Sequence, residues 1–304
     1  MELVLHVGAH KTASTTFQIG LRPHAKLFSD HGVAVVSKQY KVNGDEIYRR
    51  YRSAYTHDNP KDLRDTLAPF FDTVRSTGVH TALFSDEDLA GLLPGGRSGF
   101  YPQARERIEG LIDAAKAHKI RVLLYIRRPD TFLESCYKQF FSIGRPILFE
   151  EYLSSLALTE WSWRFVVDQI EAAVGRENLV VRPFEALRAL GKQAEFSSTI
   201  SRLFPDLPPI TFAGKDANGS LDANARWALL VARESKSRGE LRDMAMDLRP
   251  QRLQEREQLL PDLFRAALLE YHFDDTAEVF RRHISDFNPE DLGYRGQVKH
   301  KAAA

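Results

Sequence analysis

Five short β-rich runs separated by longer helical stretches fill the first 190 residues, and no other feature constrains the fold as strongly. The runs are Leu3 to Val7, Val33 to Val36, Val79 to Ser85, Arg121 to Ile126 and Asn178 to Arg182, with helical spacing near 15–28, 60–76, 101–118, 130–143 and 160–174. The runs are apolar without strict alternation, which predicts strands buried on both faces, and the helical spacers suit right-handed crossovers between parallel neighbours. The expected fold is therefore α/β, a central parallel sheet flanked by helices. Ligands of such sheets lie beyond the carboxyl ends of the strands, so the residues after each run are where chemistry is sought.

After about residue 220 the strand signal ends. Ala225 to Leu230 and Leu263 to Leu269 keep a helical pattern with charges of both signs mixed through it. This predicts a helical C-terminal extension, 221–304, packed on the core formed by 1–220. The stretch from Leu207 to Ser220 reads as the connection, and Lys301 to Ala304 as a frayed end.

Charge narrows the function classes. The 42 Lys and Arg against 41 Asp and Glu leave a net +1, so no global field exists to hold a nucleic-acid backbone or an anionic bilayer. An anionic ligand needs a local site. The single cysteine, Cys136, excludes an internal disulfide and a thiolate zinc cluster, which fits a reducing, cytoplasmic setting. No apolar run reaches the roughly 18 residues of a membrane span, and the first residues lack the pattern of a signal peptide. The ten histidines offer no convincing metal-ligand spacing, so no metal is expected.

The first run leads into Gly8-Ala9-His10-Lys11-Thr12-Ala13-Ser14-Thr15-Thr16. Small and hydroxyl residues let backbone N–H groups approach an anion, the next helix presents its positive dipole end, and Lys11 adds a full charge. The plainer alternative is a Thr or Ser N-cap on an ordinary helix. An ATP-type G-x-x-x-x-G-K-[ST] loop would place glycines where Leu5 and His10 stand.

After the fourth run come Arg127-Arg128-Pro129-Asp130, with Ser135 eight positions beyond Arg127. Pro129 suits a first helical turn, and an arginine at the strand edge with a serine on the following helix converge on a second anion. The third run delivers Ser85-Asp86-Glu87-Asp88 to the same edge. These acids serve either as a base beside a reacting hydroxyl or as carboxylates that complement a helix dipole.

The loop resembles the 5′-phosphosulfate loop of sulfotransferases, above all that of the bacterial branch, approximately H-K-T-G-T-T. His10, Lys11, Thr12, Ser14 and Thr15 match or replace conservatively, and Ala13 stands where that family usually has glycine. Arg127 with Ser135 is similar to the family's 3′-phosphate motif. Val180 to Leu187 resembles its strand and acidic turn beside the adenine, with Phe184 placed to pack on that ring; Asn218-Gly219-Ser220-Leu221 is similar to a late motif near the cofactor.

The resemblance implies a P-loop-like three-layer fold and 3′-phosphoadenosine-5′-phosphosulfate as co-substrate, with no metal. It places Gly8, His10, Lys11, Thr12, Ala13, Ser14, Thr15, Arg127, Ser135 and Phe184 around that molecule. It implies Glu87 as the base, with Asp86 second, and Lys11 on the leaving phosphate. The acceptor is expected to be a hydroxyl of a carbohydrate or small metabolite. Two segments are candidates to shape its pocket: the basic and aromatic stretch from Gln39 to Tyr55, and the glycine-rich Pro94 to Gly99. Two alternatives stay open: a P-loop kinase or NTPase with Mg²⁺ held by Asp86 and Glu87, and a nucleotide-binding module without turnover.

Overall fold

Five strands form one parallel sheet in the order β2-β3-β1-β4-β5: β1 Glu2–His6, β2 Val33–Ser37, β3 Thr81–Ser85, β4 Lys119–Ile126 and β5 Leu179–Pro183. The computed structural model describes residues 1–37, 60–95, 99–213, 221–248 and 258–296, with no side chains for 60–63. The Gln39 to Tyr55 stretch, Gly96 to Ser98, Asn218 to Ser220 and Lys301 to Ala304 lie outside the described residues.

Each expected strand is present, and the apolar runs explain the layering. Leu3, Leu5, Ala82, Phe84, Val122 and Leu124 face one core; Val4, Leu83, Leu123 and Tyr125 face the other. Successive strand side chains point to opposite faces, so a run without alternation is what two apolar layers demand. The first layer is packed by α3 (Pro60–Ser76), α4 (Ala104–Ala115), α5 (Pro129–Ser142) and α7 (Trp163–Val174). The second is packed by α1 (Ser14–Leu21), α2 (Ala25–Asp30) and α9 (Lys192–Leu203). The single helix expected over 15–28 is broken after Leu21 by a 3₁₀ turn at Arg22–His24. Pro23 has no N–H to continue the ladder, and its ring crowds the preceding turn.

Short helices α6 (Phe149–Ser154) and α8 (Ala186–Ala189) also lie among the described residues before 220. Beyond it run α10 (Ala223–Ala232), α11 (Arg238–Asp247), α12 (Asp262–Tyr271) and α13 (Phe273–His283). Leu229, Leu241, Leu268, Val279, Phe280 and Tyr294 from this part join the first core. Polar anchors add to the packing. Arg182 on β5, 1 % exposed, donates to Glu195 at 2.9 and 2.5 Å and to Asp286 at 2.6 Å. Arg265 on α12 donates to the buried Asp130 and Glu134 of α5 at 3.1 and 2.9 Å. No helix among the described residues is long and apolar enough to cross a membrane.

Candidate active site

β1 lies between β3 and β4, so the loops after these three strands meet at the carboxyl edge. The chain stays pinned to β4 as it leaves β1: the Val7 N–H donates to Leu123 O at 3.0 Å and that of Ala9 to Tyr125 O at 3.3 Å. It then turns sharply, with Gly8 at φ +33°. A Cβ on Gly8 would sit 3.2 Å from His6 Nε2, so the position requires glycine. Lys11 and Ala13 are both left-handed, at φ 61° and 65°.

Ala13 is the N-cap of α1 and has no side-chain oxygen to cap it. The plain N-cap alternative therefore does not describe this helix. The N–H groups of Ser14, Thr15 and Thr16 have no acceptor within the helix, and a left-handed residue followed by helical ones turns neighbouring N–H groups toward one point. An uncapped helix start with a converging loop has the geometry that an anion cradle needs.

The loop side chains divide into those that build the cradle and those that face it. The Thr12 hydroxyl turns back onto Ala9 O at 2.5 Å. Lys11 reaches toward the β4 side, where its Nζ donates to Gln139 Oε1 of α5 at 3.0 Å. Ser14 reaches the other way, donating from Oγ to Glu87 Oε2 at 3.3 Å. Thr15 is half-buried on the first turn of α1. His10 differs from the expected ligand contact. Its backbone N–H meets the Tyr101 hydroxyl at 3.0 Å, and its ring nitrogens meet Tyr101 Oη at 3.0 Å and Asp88 Oδ1 at 2.8 Å. All three polar groups are thus used inside the protein.

The three acids after β3 have separate surroundings. Asp86 is buried, and its Oδ1 accepts the Asp88 N–H at 3.0 Å. Asp88 accepts from His10, and Glu87 is the one on the Ser14 hydroxyl. Beneath them His6, tilted against the Phe17 ring with centroids 4.4 Å apart, meets Ser85 Oγ at 2.7 Å. Burial lowers its pKa to about 3 against the opposing pull of Glu87.

Across β1, Arg127 is 7 % exposed and firmly held. Its Nε donates to Thr131 Oγ1 at 2.9 Å, its Nη1 donates to Lys11 O, and its guanidinium lies 4.3 Å from the Phe184 ring centroid. Arg128 instead grips Asp130 with two bonds of 3.2 and 2.8 Å. Ser135 is half-buried on α5, one helical turn from Thr131 and one from Gln139. Since Thr131 meets Arg127 and Gln139 meets Lys11, residues at this spacing of four share the loop-facing side.

Gln139, Thr131 and Tyr101 were not singled out from the sequence, and Asp88 was read there only as one of three acids after the third run. The four-residue spacing of Thr131, Ser135 and Gln139 was a readable signal for two of them. Cys136, between these turns, is buried, and burial pushes its thiol up to about 12 despite Lys11 and Arg127 nearby. Glu185 after β5 is held by Tyr294 Oη at 2.6 Å and by the Arg128 N–H at 3.2 Å. Burial raises its pKa, with Tyr294 and Arg127 pulling the other way.

Next to this loop, on the second-core side, lies a narrow recess. Ala13, Thr16, Phe17, Leu187, Phe196 and Phe212 line it, with Lys192 at its edge. It is mostly apolar and has one wall on this loop.

No family model and no curated protein matches the chain. Among solved structures, a sulfotransferase from Alicyclobacillus acidocaldarius is similar at 14% identity, over 79% of this chain and 93% of that one, with a TM-score of 0.43.

Proposed function

We propose that the chain is a sulfotransferase that moves a sulfuryl group from 3′-phosphoadenosine-5′-phosphosulfate to a hydroxyl of a carbohydrate or small metabolite. The observation that carries this reading is that Lys11 and Glu87 flank one uncapped helix start from opposite sides, held by Gln139 and Ser14. A cation belongs where a leaving phosphate gains charge, and a carboxylate belongs where an attacking hydroxyl loses its proton.

In this reading the loop N–H groups and Lys11 hold the 5′-phosphosulfate, and Arg127 with Ser135 holds the 3′-phosphate. The adenine then lies beside Phe184, one face of whose ring the guanidinium covers. The donor supplies an activated sulfuryl group. The acceptor oxygen forms its bond to sulfur as the bond from sulfur to the 5′-phosphate oxygen breaks; Glu87 receives the acceptor proton, and Lys11 neutralises the phosphate released.

A second reading is favoured by one contact. A hydroxyl and a carboxylate 3.3 Å apart, as Ser14 and Glu87 are, are a pair that can share a divalent cation, as in a P-loop kinase. One experiment separates the two. Purified protein is incubated with the phosphosulfate donor and a panel of hydroxyl compounds with EDTA present, and adenosine 3′,5′-bisphosphate is quantified. Release of it with a sulfated product is expected, and Glu87→Gln should lower the rate roughly 100-fold or more while binding of the bisphosphate persists. Absence of product, together with stabilisation by Mg²⁺-ATP and not by the bisphosphate, would replace this reading with the kinase one.

A further inference from the structure

The β3–α4 connection is fastened at both ends to a single side chain of the anion loop. Its beginning supplies Asp88, whose Oδ1 is 2.8 Å from His10 Nε2, and its end supplies Tyr101, whose hydroxyl is 3.0 Å from His10 Nδ1 and 3.0 Å from the His10 N. A carboxylate only accepts, so Nε2 carries a proton toward Asp88. With Nδ1 then an acceptor, the Tyr101 hydroxyl donates to it while receiving the backbone N–H. The three groups satisfy one another.

They are also rigidly placed. His10 is 7 % and Tyr101 1 % exposed, their rings lie nearly parallel at 6.0 Å, and Tyr101 holds a left-handed backbone at φ 52°. A bulky residue in that conformation persists only where its surroundings enforce it. Gln169 contributes by donating to Tyr101 O at 3.1 Å, and the Asp88 O lies within 3.5 Å of the buried Arg107 Nη2. Glu87 sits one residue before Asp88 and Lys11 one residue after His10, so the His10–Asp88 bond ties together the segments that carry them.

We propose that His10 is a positioning residue: through Asp88 and Tyr101 it sets the distance from the anion cradle to the carboxylate of Glu87. It contacts no reacting atom. This rests on the sulfotransferase reading for its effect on rate, but not for the mechanical coupling itself. Asp88→Ala breaks the link while keeping Glu87, Lys11 and the loop backbone. Its expected effect is a fall in kcat of roughly tenfold or more, the scale of a small misplacement of a catalytic group, with affinity for adenosine 3′,5′-bisphosphate within about twofold of wild type. Asp88→Asn keeps an acceptor oxygen for Nε2–H and should recover most of the rate. His10→Gln on top of Asp88→Ala should add only the share carried by the Tyr101 end of the link.

The coupling is read independently by hydrogen exchange in the chain without substrate. In Asp88→Ala, and separately in Tyr101→Phe, exchange should quicken both around residues 8–14 and around 86–91. Quickening confined to the mutated segment overturns the proposal, as does a bisphosphate affinity that falls in parallel with kcat, which would make His10 a direct ligand. Coupled exchange in a wild-type protein that forms no sulfated product would instead leave the proposal standing and remove the sulfotransferase reading.

Discussion

The guanidinium of Arg127 stands 4.3 Å from the centre of the Phe184 ring and is clamped from below by Thr131 at 2.9 Å. An arginine fixed in this way meets an anion without first losing side-chain freedom, which favours affinity. Arg127→Ala should therefore abolish the preference for adenosine 3′,5′-bisphosphate over AMP that the assigned 3′-phosphate site predicts. Arg128→Ala should keep it, because Arg128 is already committed to Asp130 at 2.8 Å. Its loss leaves the buried Asp130 with only part of its compensation, so the expected change is in unfolding free energy, on the order of 1–3 kcal/mol. Calorimetry with both ligands on both variants decides: equal affinity of wild type for AMP and the bisphosphate removes the 3′-phosphate assignment.

Lys11 donates to Gln139 Oε1 at 3.0 Å, a neutral partner that guides the ammonium. In the proposed reaction that ammonium stabilises a phosphate that gains charge in the transition state. Lys11→Met should lower kcat by roughly 100-fold or more, with a smaller change in bisphosphate affinity. Gln139→Leu, which keeps the charge and loses the guide, should have a lesser effect of the same kind. Steady-state kinetics with separate binding measurements tests this, and an unchanged kcat in Lys11→Met refutes the role.

The sheet was legible because its message is redundant: each of the five runs satisfies two apolar layers at once, and no other element tolerates that pattern over so few residues. The cradle and Arg127 were legible because they follow directly from strand ends. What escaped was the pairing between loops. Asp88 and Tyr101 meet at His10 across long stretches of sequence, and nothing local to any of the three announces that contact. The break at Pro23 was visible and went unused, whereas the short helix Phe149–Ser154 is too brief for its periodicity to register. The 192–203 helix also went unremarked, although Phe196, Ile200 and Leu203 at its apolar spacing close the second core.

His6 predicts a pH effect whose sign is fixed. Burial lowers its folded pKa from 6.5 to about 3, so between those values the unfolded chain binds a proton that the folded chain refuses. The stability associated with neutral His6 is complete above pH 6.5 and is lost as pH falls toward 3. The slope from this group alone approaches about 1.4 kcal/mol per pH unit. His6→Asn removes the titration and should flatten the curve of unfolding free energy between pH 6 and 4 by roughly that slope, whatever it does to the absolute stability. His272 and His283, also lowered by burial, act on both curves and cancel in the difference. Parallel wild-type and variant curves from urea unfolding would contradict a neutral, buried His6.

Ala13 carries the last prediction, and its backbone decides the sign. At φ 65° and ψ 27° it occupies the left-handed region, where an L-residue with a Cβ pays roughly 1–2 kcal/mol relative to the right-handed form. Glycine removes that strain, but its freer unfolded chain returns roughly 0.5–1 kcal/mol. The Ala13 methyl also borders the recess beside Thr16 and Phe17, a small contact that glycine forfeits. Ala13→Gly should therefore leave the unfolding free energy unchanged or raise it by up to about 1 kcal/mol, and bisphosphate affinity should hold or improve. Ala13→Val should do the reverse in both measurements, because a β-branched residue resists this conformation. The alanine follows the backbone path that a glycine would take, so it gives no physical reason for the loop to have lost turnover. A drop of more than about 1 kcal/mol in Ala13→Gly, with unimpaired ligand binding by Ala13→Val, would mean that residue 13 is not left-handed and that the cradle is built some other way.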